Sequence, residues 1–128
     1  MSQNEAIAIW LDGARRSLRA AQTLHQDHNE ELTLFHCHLA TEKALKALYI
    51  LEHDRSAPHT HDLTMILSEL KDEELKKRLG DFTAMSKFAV AARYDDVEIL
   101  DEDLGKERIE HWISFSAFLL QHAENRTR

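Results

Sequence analysis

The sequence predicts an all-α fold, an antiparallel up-and-down helical bundle of four long helices plus one short helix. Three observations lead there. Three glycines and one proline in 128 residues leave little to interrupt helices. Apolar residues recur at three- and four-residue spacing along most of the chain, and no alternating strand pattern survives beside them. With 43% hydrophobic and 30% charged residues, the chain suits a single domain over 1–128 with one packed core.

The first helix is placed at about 3–26. Ser2 and Glu5 have the spacing of a capping box, and Ile7, Trp10, Ala14, Leu18 and Ala21 then share one face. "HQDHNEE" breaks the pattern. A second helix is placed at roughly 31–53, with Cys37, Ala40, Ala44, Leu48 and Leu51 on one side. Its small residues suit close approach of a neighbour. His38, Glu42, Lys46, Tyr49 and His53 fall on the other, solvated side, with Glu42 and Lys46 at the favourable i,i+4 spacing. Pro58 cannot continue that helix, and 56–59 forms the turn. Thr60 is then the expected N-cap, with His61 and Asp62 in the first turn of a short third helix carrying Leu63, Ile66, Leu67 and Leu70. A fourth helix is expected from about Asp72 to Ala92, with Leu75, Leu79, Phe82 and Ala89 inward. "RYDDVEILDED" has six carboxylates in its last nine residues, the pattern of a solvated connection. The last helix, about 104–124, buries Ile109, Trp112, Ser116, Leu119 and Ala123, and "ENRTR" is expected to fray.

A net charge of −7 argues against a broad grip on duplex DNA, which needs a basic face to displace counter-ions. It leaves room for a local basic pocket. A single cysteine, Cys37, precludes an intramolecular disulfide and suits a reducing compartment. The first residues lack a basic stretch followed by an apolar one, and no run approaches eighteen apolar residues, so neither a signal peptide nor a membrane span is expected. The expected location is cytoplasmic.

Nine histidines raise the question of metal. There is no H-E-x-x-H and no cysteine pair, and His36 and His38 diverge on a helix. No metal or cofactor is expected, and exposed, unpaired histidines are the better account. Cys37 lies on an apolar face, where a thiol is usually inert. Neither G-x-S-x-G nor a phosphate-binding glycine loop is present.

Longer patterns say more. E-K-A-L-K-A-L at 42–48, T-H-D-L at 60–63 and A-R-Y at 92–94 occur in order across nearly the whole chain. In that order they resemble the HEPN family, small helical domains named for nucleotide binding in higher eukaryotes and prokaryotes. The resemblance implies an antiparallel bundle, frequently dimeric, associated with nucleotides or RNA, and often paired with a nucleotidyltransferase as a two-component or toxin–antitoxin system. Catalytic members are metal-independent ribonucleases with an R-x4-6-H motif at the start of the last helix. Here Arg93 has no histidine until His111, and Arg108 and His111 have two residues between them. Arg55 and His61 have five, but straddle the proline turn in the wrong part of the chain.

Carried over residue by residue, the resemblance names Lys43, Lys46, His61, Asp62, Arg93 and Tyr94 as ligand-binding candidates. Arginine offers a planar fork for phosphate, tyrosine a ring for a base and lysine a point charge. Each has a structural alternative: Lys46 pairing with Glu42, Asp62 capping its helix, His61 packing on the second helix, Arg93 bridging to the acidic run and Tyr94 filling the bundle end. The expected function is a non-catalytic nucleotide- or RNA-binding subunit with a nucleotidyltransferase partner, as a homodimer. The alternatives are a ribonuclease using Arg93 or Arg108 with His111, and a bundle serving only protein–protein interaction.

Overall fold

The structure is a computed structural model describing residues 1–93 and 105–128, with side chains described through Lys87 and again from Gly105. Its helices are α1 (Gln3–Gln26), α2 (Glu30–His53), α3 (Leu63–Ser68), α4 (Glu73–Lys76), α5 (Leu79–Arg93) and α6 (Lys106–Arg126). All are α-helical, as the composition and periodicity predict. The acidic run and Ala89 lie outside the described residues or side chains.

α1 begins where the capping pattern places it. Ser2 Oγ accepts from the Glu5 backbone N–H at 3.1 Å, satisfying one of the donors a helix start leaves open. It ends in a tight turn at His28, a non-glycine residue in the left-handed region at φ 60°. α1 then packs antiparallel on α2: Gln3 Nε2 donates to the Ile50 and Leu51 carbonyls, while His25 meets Glu30 at the other end.

α2 is the axis of the molecule. α1, α3, α5 and α6 all contact it, and it buries most of its surface, from Leu34 and Cys37 through Glu42, Lys46 and Tyr49. What stays open is a narrow edge through Leu32, Phe35, His36, Leu39 and Lys43, apart from the Glu42 and Lys46 row. The expected solvated side is therefore corrected: His38, Glu42, Lys46 and Tyr49 are all buried. The cover comes from the chain after α2. Asp54 turns it in the left-handed region, Arg55 donates to the Tyr49 hydroxyl at 2.9 Å, and His61 reaches Glu42. Residues 54–62 thus run back along α2 as a strap before α3 sets out again.

Three further boundaries differ from expectation. The N-cap of α3 is Asp62 rather than Thr60, whose hydroxyl instead accepts from the Asp62 N–H. The single helix expected from 72 is two, with a turn at Lys77 and Arg78. In one continuous helix Leu75, Leu79 and Phe82 would share a face; the turn keeps Leu75 and Phe82 buried and turns Leu79 out to 51% exposure. The last helix runs to Arg126, where frayed chain was expected, because Arg126 is held by Glu52 and Asp72 at 2.9 Å each.

α6 supplies the inward residues its periodicity predicts: Ile109, Trp112, Ser116, Leu119 and Ala123 are fully buried. Ser116 Oγ lies against the Cys37 carbonyl at 3.1 Å and the Trp112 carbonyl at 2.9 Å, with Thr41 Oγ1 at 3.3 Å, so its polar atom is satisfied where α2 and α6 cross. Phe82 and Phe115 meet edge to face at 5.0 Å, joining α5 to α6. Among the described residues no helix is long and apolar enough to cross a membrane.

Candidate functional site

His38, Glu42 and Lys46 recur every four residues and therefore stack along one face of α2. The strap brings His61 onto this row. Glu42 Oε1 accepts from His61 Nδ1 at 2.9 Å and Oε2 accepts from Lys46 Nζ at 3.1 Å. His38 Nε2 donates to the His61 backbone carbonyl at 3.1 Å, and its Nδ1 stands 3.9 Å from Glu42 Oε1. The Lys46 ammonium also sits over the Trp10 ring, 5.2 Å from its centroid. Carboxylate and ammonium buried together in this way require each other, since either alone would be an unpaired charge in a poorly solvating interior. The His61 side chain, 52% exposed, carries the network from the interior to the surface.

Asp62 follows immediately. Its Oδ1 accepts from the Thr64 hydroxyl at 2.7 Å and from the Thr64 and Met65 N–H groups at 3.1 and 3.3 Å. The Thr64 hydroxyl foremost, with the backbone donors and against slight burial, holds its carboxyl below the ordinary range. Asp62 caps a helix with one oxygen.

Lys46 and His61 thus meet on Glu42, with Asp62 next in sequence but turned to its own helix. Lys43 is not among them. It points at α1, where its Nζ donates to Ser17 Oγ at 3.0 Å. Arg93 is the last residue of α5, its side chain outside the described ones, and Tyr94 lies outside the described residues.

Of the residues weighed for catalysis, His111, Arg108 and Arg55 are engaged by other side chains. His111 Nε2 donates to Asp81 Oδ1 at 3.0 Å, and Arg78 Nε donates to Asp81 Oδ2 at 3.0 Å. Burial raises the Asp81 carboxyl, but the His111 and Arg78 donors outweigh it and leave the pKa below ordinary. Arg108 lies over the Trp112 ring at 5.1 Å. Arg55 is held on Tyr49, two turns of α2 from the Glu42 that holds His61. Nor are the histidines bystanders: His25, His38, His53, His61, His111 and His122 each have a hydrogen-bond partner. Among the described residues no group of three or more ligating side chains could hold a metal ion.

The family model of the HEPN domain matches residues 7–125. The chain belongs to the HEPN family. Its fold is similar to that in the crystal structure of TT1696 from Thermus thermophilus, with a TM-score of 0.77 and 21% identity over 98% of each chain. No curated protein matches it. Membership assigns this HEPN domain a nucleotide- or RNA-related function in general terms.

Two members of the buried cluster, Glu42 and His38, were not among the residues singled out by sequence. The signal was present as the H-x-x-x-E-x-x-x-K row, but a row of charges on a helix looks solvated unless something covers it. The covering strap is a tertiary feature. Its local trace is Pro58, which bars a helix through the strap without showing which way the chain turns.

Proposed function

We propose that this HEPN domain is a non-catalytic nucleotide- or RNA-binding subunit, cytoplasmic and homodimeric, that works as one unit with a nucleotidyltransferase partner in a two-component or toxin–antitoxin arrangement. The observation that carries the non-catalytic part is the engagement of His111 by Asp81, beside an Arg108 laid on Trp112. A histidine held by a structural carboxylate, with no arginine at the R-x4-6-H spacing before it, is poorly placed for metal-independent cleavage. What supports binding is family membership, together with the A-R-Y stretch at 92–94, whose Arg93 and Tyr94 have the chemistry to take a phosphate and a base.

The test is calorimetric titration with ATP, GTP and a short RNA, alongside Arg93→Ala. Binding by the wild type that is lost in the variant is the expected result. No binding by the wild type would leave a module whose contacts are with proteins alone. In a parallel assay RNA is expected to stay intact at high protein concentration. Cleavage abolished by His111→Ala would overturn the non-catalytic assignment.

A further inference from the structure

The α1–α2 pair carries a group of cationic side chains apart from the buried cluster. Lys43 is half-buried, and its Nζ donates to the neutral Ser17 hydroxyl. Among the described residues no carboxylate forms an ion pair with it; Glu42, next in sequence, has its two oxygens engaged by Lys46 and His61. Gly13 makes room for this lysine, since a Cβ there would stand 3.1 Å from Lys43 Cδ and 3.7 Å from Cε and Nζ.

Two more donors stand on the same pair of helices. Helical side chains lean toward the N-terminus of their helix, which carries the Lys43 ammonium toward His36, two turns earlier on the same face. His36 Nδ1 is buried and has no hydrogen-bond partner among the described residues. From α1 comes Arg16, whose Nε bridges to Asp12 at 3.2 Å between two largely exposed side chains. Burial first, then the Arg16 charge, hold the Lys43 ammonium below its ordinary range, with Glu42 opposing. Burial and the Lys43 charge do the same to His36. Around Lys43 the Arg16 charge outweighs the attraction of Glu42.

We propose that Lys43, Arg16, Ser17 and His36 form a binding site for a phosphate group, Gly13 leaving room for the lysine stem. The donor set fits: an ammonium as point charge, a guanidinium able to fork two oxygens, a hydroxyl and an imidazole. The inference deepens the nucleotide- or RNA-binding reading and rests on it for the source of the phosphate, either a nucleotide's polyphosphate or an RNA backbone.

The experiment titrates the full chain with pyrophosphate, ATP and a short RNA. Lys43→Gln and Arg16→Gln are the test variants; Arg19→Gln, an exposed charge on the same helix outside the group, is the control. Pyrophosphate is expected to bind the wild type, about tenfold more weakly when either test residue is changed, as loss of a charge-assisted hydrogen bond implies. The control should stay within about twofold. Arg16 is exposed, so its variant keeps the test valid should Lys43→Gln not fold. ATP tighter than RNA assigns the polyphosphate, and the reverse assigns the backbone. No pyrophosphate binding by the wild type, or an equal loss in Arg19→Gln, overturns the site. The two readings also separate. ATP or RNA binding indifferent to Lys43 and Arg16 keeps the function and removes this site. Pyrophosphate binding without ATP or RNA binding does the opposite.

Discussion

Removing the Glu42 carboxylate would leave the Lys46 ammonium inside the protein with the Trp10 ring as its remaining neighbour. Breaking one side of a buried pair generally costs more than the pair ever contributed, because the surviving charge loses water without compensation. Glu42→Gln is therefore expected to destabilise the fold by about 3 kcal/mol in chemical denaturation. Adding Lys46→Met, which removes the orphaned charge while keeping a flexible apolar stem, should recover most of that loss. A double variant as unstable as the sum of its parts would show that the two side chains act independently and overturn the pairing argument. His61 bears on the same balance from outside, because its Nδ1 contact anchors the strap to Glu42.

Among the elements, α4 and the end of α6 are joined mainly through the Asp72 carboxylate. Asp72 caps α4 through Oδ1 on the Leu75 N–H at 3.1 Å, and its Oδ2 takes His122 Nε2 at 2.7 Å and Arg126 Nη1 at 2.9 Å. Glu74 faces the other His122 nitrogen and Glu52 shares Arg126. Burial raises the Asp72 carboxyl, but the His122, Leu75 and Arg126 contacts together pull it below its ordinary 3.8. A carboxyl with a depressed folded pKa adds stability above the unfolded value and loses it as pH falls through the folded one. Stability should thus drop on acidification below 3.8, and urea midpoints of Asp72→Asn against pH should show a shallower acid limb. An unchanged limb would shift the acid sensitivity to Asp81. Legibility in the sequence varied at this same scale. α1 and α6 each bury one face and expose another, so spacing alone located Ile7, Leu18, Trp112 and Leu119. α2 is buried over most of its surface, and nothing in its own residues marks the strap that reaches Glu42 or the Trp10 ring beneath Lys46. The turn at 77–78 contains neither glycine nor proline, so Leu79 looked like a core residue. Of the candidate site, the T-H-D-L landmark was legible, while the buried partners of His61 and the direction taken by Lys43 depend on neighbours distant in sequence.

For the molecule as a whole, Cys37 provides a built-in reporter. It is fully buried on α2, and burial pushes its thiol up to about 12, against a smaller opposing effect of the Ser116 hydrogen bond. Only a thiolate reacts readily, so a disulfide reagent at neutral pH should label the native protein through opening of the α2–α6 contact. The labelling rate is expected to rise in Glu42→Gln by the factor its lost stability implies. A rate indifferent to stability would mean that α6 lifts away locally. The same axis settles where the chain ends stand. Gln3 bonds to carbonyls at the last turn of α2, and Arg126 bonds to Glu52 in that turn, so both ends emerge at one pole. The turn between α1 and α2 lies at the other. A circular permutant that joins the two ends and opens the chain near Asn29 would keep every helix intact. Tethering through either end would hold the protein by the same pole and leave the α1–α2 turn facing away from the support.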